Sequence, residues 1–241
     1  MSGFLLGVLG GMGPLATVDL LQKIIEETPA RRDQAHAPVV AWNVPQIADR
    51  QRALAGTGPS PLPDLLPALA QLNRAGATHI LIACNTAHFW YPQLAKASKA
   101  PIVHIADATI ESLDREKVER VGLIATQGTL DAGLFQQRFA RLGIATLPPQ
   151  PDEMVEWFVP GCYAVKRGEL QRGGELLSRL AQALVARGAD RLVLACTEVP
   201  PALAAVDSPL QRLSIDPTRA LAKAAARLWV AYRDGEGAVS P

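Results

Sequence analysis

Two cysteines carry the sharpest chemical signal in this chain. Cys84 opens Cys84-Asn85-Thr86-Ala87-His88 and Cys196 opens Cys196-Thr197-Glu198, and each ends a short apolar run. A free thiol ionises near pH 8.5, and a helix N-terminus can bring that towards neutrality. Two such thiols on opposite sides of one carbon form a two-base device. One thiolate removes a proton and the other thiol delivers one from the far face, which inverts a stereocentre. A free cysteine taken alone is ordinarily a small core hydrophobe; the pairing at equivalent positions favours chemistry. A zinc site is poorly supported, because two cysteines do not complete a tetrahedral set and no Cys-x-x-Cys occurs. No metal is expected. The third cysteine, Cys162, has no evident partner in the sequence and reads as structural.

Two further segments end apolar runs in the same way: Gly10-Gly11-Met12-Gly13-Pro14 and Thr126-Gln127-Gly128-Thr129. Each precedes a helical pattern, so each offers backbone N–H groups at a helix start, where anions are favoured. Gly11-x-Gly13-x-x-Ala16 formally satisfies a dinucleotide fingerprint. Pro14 removes a donor from the turn, however, and the second strand ends in Trp42-Asn43 where a ribose-binding acid is wanted. A glycine turn shaping a small-acid pocket is the better reading.

Strands and helices alternate to position these segments. Strands are expected at Phe4–Leu9, Pro38–Val44, His79–Cys84, Pro101–Ile105, Arg120–Ala125, Ile144–Leu147, Arg191–Cys196 and Arg212–Ile215. Between them lie a helix from Pro14 with Val18, Leu21, Ile24 and Ile25 on its apolar face, and one carrying Leu65, Leu69 and Leu72 that stops at Gly76. Further helices are read at Leu130–Leu142, Gly174–Arg187 and Pro217–Asp234. Fully apolar strands in this order imply parallel sheets covered on both faces.

An internal repeat sharpens the picture. Ala75-Gly76-Ala77-Thr78 and its strand to Cys84 line up with Arg187-Gly188-Ala189-Asp190 and its strand to Cys196, 112 residues later. Gly7 and Gly122 sit inside apolar strands at nearly the same offset. Gly-Ala before an apolar strand recurs by chance in α/β proteins, but chance does not place a cysteine at both strand ends. Two similar α/β domains follow, expected at residues 1–104 with 212–241 and at 105–211.

The composition agrees. Across 241 residues, 24 basic side chains oppose 23 acidic ones, which removes the electrostatic footprint of a nucleic-acid or polybasic membrane protein. Apolar residues make up 49%, too many for a disordered chain. No long uninterrupted apolar stretch suggests a membrane span, and the glycine-broken N-terminus reads as a strand and turn, not a signal peptide. Three cysteines are too few for a disulfide scaffold and fit a reducing cytosol.

The stretches GVLGGMGPLATVDLLQKIIEETPARRDQ, PQIADR, LIACNTAHFWYPQL, VGLIATQGT, VKRGE and LACTEVP resemble, in order and over nearly the whole chain, the cofactor-independent aspartate/glutamate racemase superfamily, and within it the aspartate racemases. The resemblance implies two pseudo-symmetric Rossmann-like domains with the active site in the cleft between them, no cofactor, no metal, and a homodimer. It assigns Cys196 as the base for the L-enantiomer and Cys84 for the D-enantiomer. Met12, Asn85, Thr86, Thr126, Thr129 and Thr197 match positions that hold the α-carboxylate. Arg50 and Lys166 match a cationic pair for the side-chain carboxylate, although by themselves they read as solvated loop charges. Glu198 stands where glutamate racemases carry histidine. It orients Cys196, binds the substrate amine or simply caps a helix. His88 is either a structural hydrogen-bonder or a group that tunes Cys84.

The family's Asn-Asn-Pro and Asp-Arg-Thr are replaced here by Trp42-Asn43-Val44-Pro45 and Asp49-Arg50-Gln51-Arg52, so Arg52 competes for or supplements the Arg50 role. The Gly-Pro-rich loop bearing Arg50 is read as a lid. The expected activity is racemisation of aspartate, or of glutamate or a broader set. Its rivals are a related cysteine-dependent maleate isomerase or hydantoin racemase, and a non-catalytic amino-acid binder.

Overall fold

The computed structural model describes residues 3–113 and 118–235, organised as two compact units. Residues 1–108 and 218–241 make up the first and residues 109–217 the second. The ends of the expected first domain, residues 1–2 and 236–241, lie outside the described residues, as do residues 114–117 of the second.

The first unit is built on a parallel sheet in the order β2-β1-β3: β1 (Leu6–Gly10), β2 (Val39–Asn43) and β3 (His79–Ile82). Alternation divides the central strands between two cores. Leu6, Val8 and Leu81 pack with Leu20 and Ile24 of α1 (Pro14–Glu27) and with Leu221 and Ala225 of α12 (Pro217–Arg233). Leu9, Ile80 and Ile82 pack with Leu65, Leu69 and Leu72 of α3 (Leu62–Arg74) and with Leu94 of α4 (Tyr91–Ala97). The edge strand β2 is not covered as expected, and Trp42 is exposed. Helix α1 is rotated from its sequence reading. Thr17, Leu20 and Ile24 face the core, while Leu15, Val18 and Ile25 stay in solvent. Pro101–Ile105 contributes only a single bridge, Ile80 to Ile102, before α5 (Ile105–Glu111).

The second unit carries the sheet β5-β4-β6-β7: β4 (Arg120–Leu123), β5 (Ala145–Leu147), β6 (Arg191–Val193) and β7 (Ser214–Ile215), all parallel. Because β7 pairs with β6, residues 212–217 belong here and not with the first domain, while residues 105–108 belong with the first, so both expected boundaries shift. The helix read at Leu130–Leu142 is two short ones, α6 (Gln127–Asp131) and α7 (Gln136–Ala140), broken where Gly133 takes a positive φ. After the proline-rich loop, α8 (Pro151–Glu153) runs through a π-turn, Met154–Phe158, into α9 (Val159–Lys166). No periodicity in the sequence predicts this segment. Helix α10 (Leu170–Ala186) packs on α9 and on α11 (Val199–Ala205), with Phe158, Leu177, Leu184 and Leu192 in the core between them.

The repeat is physical. Gly76 and Gly188 both take positive φ after their helices, and the next alanine N–H returns to the helix, Ala77 to Leu72 and Ala189 to Leu184. A Cβ at Gly7 would lie 2.8 Å from Ala77 Cβ; one at Gly122 would lie 3.3 Å from Ala189 Cβ and 2.8 Å from Leu192 Cδ2. In both units, therefore, glycine in the central strand admits the strand-leading alanine.

Candidate active site

Each unit brings chemistry-bearing residues to the carboxyl edge of adjacent parallel strands, where open α/β sheets bind ligands. In the first unit the Gly10–Pro14 turn leaves β1, and Cys84 lies two residues beyond the end of the neighbouring β3. The turn is closed from behind. Gly11 has a φ of 99°, its N–H donates to Thr17 Oγ1 at 3.0 Å, and any side chain there would run into the Val44 backbone. Thr17 in turn donates to Asn43 Oδ1 at 3.0 Å. Glycine is thus required by the approach of the chain after β2, a reason unrelated to a dinucleotide. Met12, from the tip of the turn, is buried in the same core as Cys84.

Cys84 is buried and unbridged. His88, fully buried on the 3₁₀ turn Thr86–Trp90, fixes its backbone. Nε2 accepts the Ile105 N–H at 3.2 Å, so the proton resides on Nδ1, which donates to the Cys84 carbonyl at 2.8 Å. His88 therefore holds the Cys84 main chain as a neutral clamp. Next to it, Asn85 is only 3% exposed, yet neither its amide nitrogen nor its amide oxygen finds a protein partner. An unsatisfied buried polar group costs about 1–3 kcal/mol, so such groups are rare away from ligand sites.

The Arg50 segment differs from its reading as a loop. Asp49 caps α2 (Arg50–Leu54), accepting the N–H groups of Gln51 and Arg52. The Arg50 guanidinium turns back on its own approach, donating to the carbonyls of Ile47 and Ala48 at 3.1 and 3.0 Å. Gln51, which sequence reasoning does not select, reaches Thr86 Oγ1 at 3.0 Å. Arg52 donates to the Thr57 carbonyl.

In the second unit Thr126 follows β4 and caps α6, its hydroxyl donating to Thr129 Oγ1 at 2.9 Å. Cys196 lies three residues beyond β6 and is buried. Its thiol donates to Glu198 Oε2 at 3.0 Å, and the same oxygen accepts the Thr197 hydroxyl at 3.3 Å. Glu198 Oε1 stands 3.9 Å from the Lys166 ammonium at the end of α9. Glu198 makes no side-chain cap, so among its expected roles the contact with Cys196 is the one the structure contains.

Cys162 is not isolated as the sequence suggested: its Sγ lies 3.8 Å from Cys196 Sγ. Cys162 and Lys166 lie one helical turn apart on α9. Cys162 overturns the expectation of a lowered Cys196 pKa. The hydrogen bond with Cys162, burial, and the charge of Glu198 all push the Cys196 thiol well above the ordinary thiol range. For Lys166, burial disfavours the charge, but Glu198 and the two sulfurs outweigh it and hold the ammonium above its usual value. Among the described residues no group of three or more His, Cys, Asp or Glu side chains could hold a metal, and no helix is long and apolar enough to cross a membrane.

Residues 9–225 match the family model Asp/Glu/Hydantoin racemase. The aspartate racemase of Picrophilus torridus superposes with a TM-score of 0.82 at 28% identity, covering 95% of each chain. The broad specificity amino-acid racemase RacX of Bacillus subtilis is 23% identical over 95% of this chain and all of its own. The fold extends to the glutamate racemase of Francisella tularensis, with a TM-score of 0.70 at 14% identity over all of this chain and 86% of that one. These matches place the chain in the Asp/Glu/Hydantoin racemase family, as one of its amino-acid racemases.

Proposed function

We propose that the chain interconverts L- and D-aspartate by two-base proton transfer, with Cys196 taking the Cα proton of the L-enantiomer and Cys84 that of the D-enantiomer. The observation that carries this reading is the placement of Cys84 and Cys196 just beyond equivalent strands, β3 and β6, of two similarly built sheets. Each thiol must alternate between base and acid, so both must reach one Cα. In the L to D direction Cys196 enters as thiolate and leaves as thiol, while Cys84 gives up its proton to the opposite face.

The difficult step is loss of a weakly acidic Cα proton, and it calls for donors already in place around the developing charge. Asn85 suits this role because its buried amide is unengaged, and Thr86, Thr126, Thr129 and Thr197 add hydroxyl or backbone donors beside the two cysteines. Met12 forms an apolar wall. Lys166 supplies the cation for the side-chain carboxylate on the Cys196 side. For Arg50 to join it, the guanidinium must leave the Ile47 and Ala48 carbonyls when substrate binds. The likeness to the Picrophilus torridus aspartate racemase over nearly all of both chains supports aspartate.

A broader substrate set is the second reading. It is favoured by the self-engaged Arg50 and by the likeness to the Bacillus subtilis broad specificity racemase. Cα deuterium incorporation in deuterated water, measured over a panel of amino acids, decides between them. Fast exchange confined to aspartate supports the first reading, and comparable exchange of alanine sinks it. No exchange on any amino acid would favour a binder over an enzyme. A homodimer is also proposed, supported by the exposed apolar stripe Leu15, Val18 and Ile25 on α1; a monomeric mass in sedimentation would refute it.

A further inference from the structure

We propose that Cys162 and Cys196 form a reversible disulfide on exposure to a peroxide, a modification site that takes one of the two proton-carrying thiols out of use. Both sulfurs are buried and lie 3.8 Å apart, in van der Waals contact, so bond formation at about 2.05 Å requires only a short approach. Cys162 rides on α9 and Cys196 follows β6; both belong to one unit and one core cluster, so no rearrangement between units is needed.

The nucleophile towards peroxide is a thiolate. Lys166 interacts electrostatically with both sulfurs and favours an anion on the pair, against Cys162, burial and Glu198, which hold the Cys196 thiol well above the ordinary range; the attack therefore quickens as pH rises. One thiolate attacks the peroxide oxygen, breaking the O–O bond and giving a sulfenic acid and water. The second thiol then attacks the sulfenic sulfur, forming the S–S bond and releasing a second water. Two thiols and one hydrogen peroxide thus become one disulfide and two waters; the sulfurs are oxidised and the peroxide reduced. Cys162 protects Cys196 in this scheme, because a disulfide can be reduced whereas higher sulfur acids of a lone catalytic thiol cannot.

Loss of activity on oxidation rests on the reading of Cys196 as a proton carrier; formation of the bond does not. Cleavage after Lys and Arg leaves each cysteine on its own peptide, Ala75–Lys96, Leu142–Lys166 and Leu192–Arg212. The full-length protein is treated with hydrogen peroxide, its free thiols are blocked, and the digest is read by mass spectrometry. The expected product is a linked pair of Leu142–Lys166 and Leu192–Arg212, two hydrogens lighter than the sum of its parts. A thiol reductant should remove the link and restore racemase activity. In Cys162→Ser the link should be missing and peroxide inactivation should become irreversible. A wild-type digest with both peptides unlinked, or with Cys196 carried directly to sulfinic acid, overturns the proposal without reference to any variant. A complete link with activity intact leaves the disulfide standing and sinks the catalytic role of Cys196.

Discussion

The two units share one scaffold and surround their cysteines differently. In the first, Cys84 follows β3, and its main chain is clamped by a neutral histidine, with an unengaged amide next to it. In the second, Cys196 follows β6 and its sulfur contacts a carboxylate and a second thiol, with a lysine behind the carboxylate. The scaffold is repeated down to the alanine that each central-strand glycine admits, whereas one cysteine has a histidine on its main chain and the other a carboxylate and a thiol on its sulfur. A repeated fold can therefore supply two bases at equivalent places while setting their proton affinities separately. The proposed two-base reaction would use that freedom: each thiol would act as acid in one direction and base in the other, so their resting protonation need not match.

The largest expected effect breaks the pair. Cys84→Ser and Cys196→Ser should each lower turnover by about 10³-fold or more in both directions, since a serine hydroxyl is a far weaker acid and base. The comparison is sharpened by deuterium exchange without inversion. Cys196→Ser should still wash deuterium into D-aspartate through Cys84, and Cys84→Ser into L-aspartate through Cys196. Exchange of the opposite enantiomer in either variant would reverse the assignment of faces.

Next come the glycines that make the units alike. Gly7→Ala places a methyl 2.8 Å from Ala77 Cβ, a stiff neighbour, whereas Gly122→Ala presses chiefly on the flexible Leu192 Cδ2. Overpacking of this kind costs about 1–3 kcal/mol, with Gly7→Ala at the upper end. Urea titration of the single variants measures it, and Ala77→Gly should restore much of the loss in Gly7→Ala. Equal stability of wild type and Gly7→Ala would mean that the strand and the alanine do not meet.

What the sequence made legible follows from the range of each interaction. The repeat, the cysteines just beyond two equivalent strands and most of the strand-helix order are encoded locally, by apolar runs and by glycine at helix ends, and are found in the fold; Pro101–Ile105, a single bridge, and the broken helix at Leu130–Leu142 are the exceptions. The contact of Cys162 with Cys196 joins residues 34 apart through α9 and β6, and no local pattern announces it. Gln51 meeting Thr86 and Arg50 bonding its own turn are equally invisible, because side-chain direction depends on how α2 is capped. The outer face of helix α1 is apolar as well, so periodicity alone does not say which face is buried.

The acid side of the Cys196 environment gives a smaller, directional effect. Glu198→Gln removes one of the influences that raise the Cys196 thiol, after those of Cys162 and burial. Its ionisation should therefore shift to lower pH, though not back to the ordinary range. The rate of L to D conversion, which needs the thiolate, should then rise at lower pH than in wild type, as read from a pH profile of kcat/KM. A shift to higher pH would mean that Glu198 stabilises the thiolate instead.

The smallest effect tests the repeat at its strand starts. Thr78 Oγ1 accepts from Leu5 N–H at 3.0 Å and donates to the Leu5 carbonyl; its counterpart Asp190 accepts the N–H groups of Glu119 and Arg120 at 2.9 and 2.8 Å. Both tie the repeat to its central strand, one with a hydroxyl and the other with a carboxylate. Thr78→Val should cost about 1 kcal/mol, and its two bonds to Leu5 carry no charge to titrate, although His79 Nδ1 lies 3.2 Å from the same hydroxyl. The Asp190 carboxyl lies below its ordinary value of 3.8 because the Arg120 and Glu119 N–H groups bond its charged form. A group depressed on folding stabilises above its unfolded pKa and loses that contribution as pH falls through its folded one. The gap in stability between wild type and Asp190→Asn should hold through neutral pH and close on acidification below 3.8. A gap that stays constant into acid would show that the carboxylate's charge adds nothing beyond what the hydroxyl supplies in the other unit.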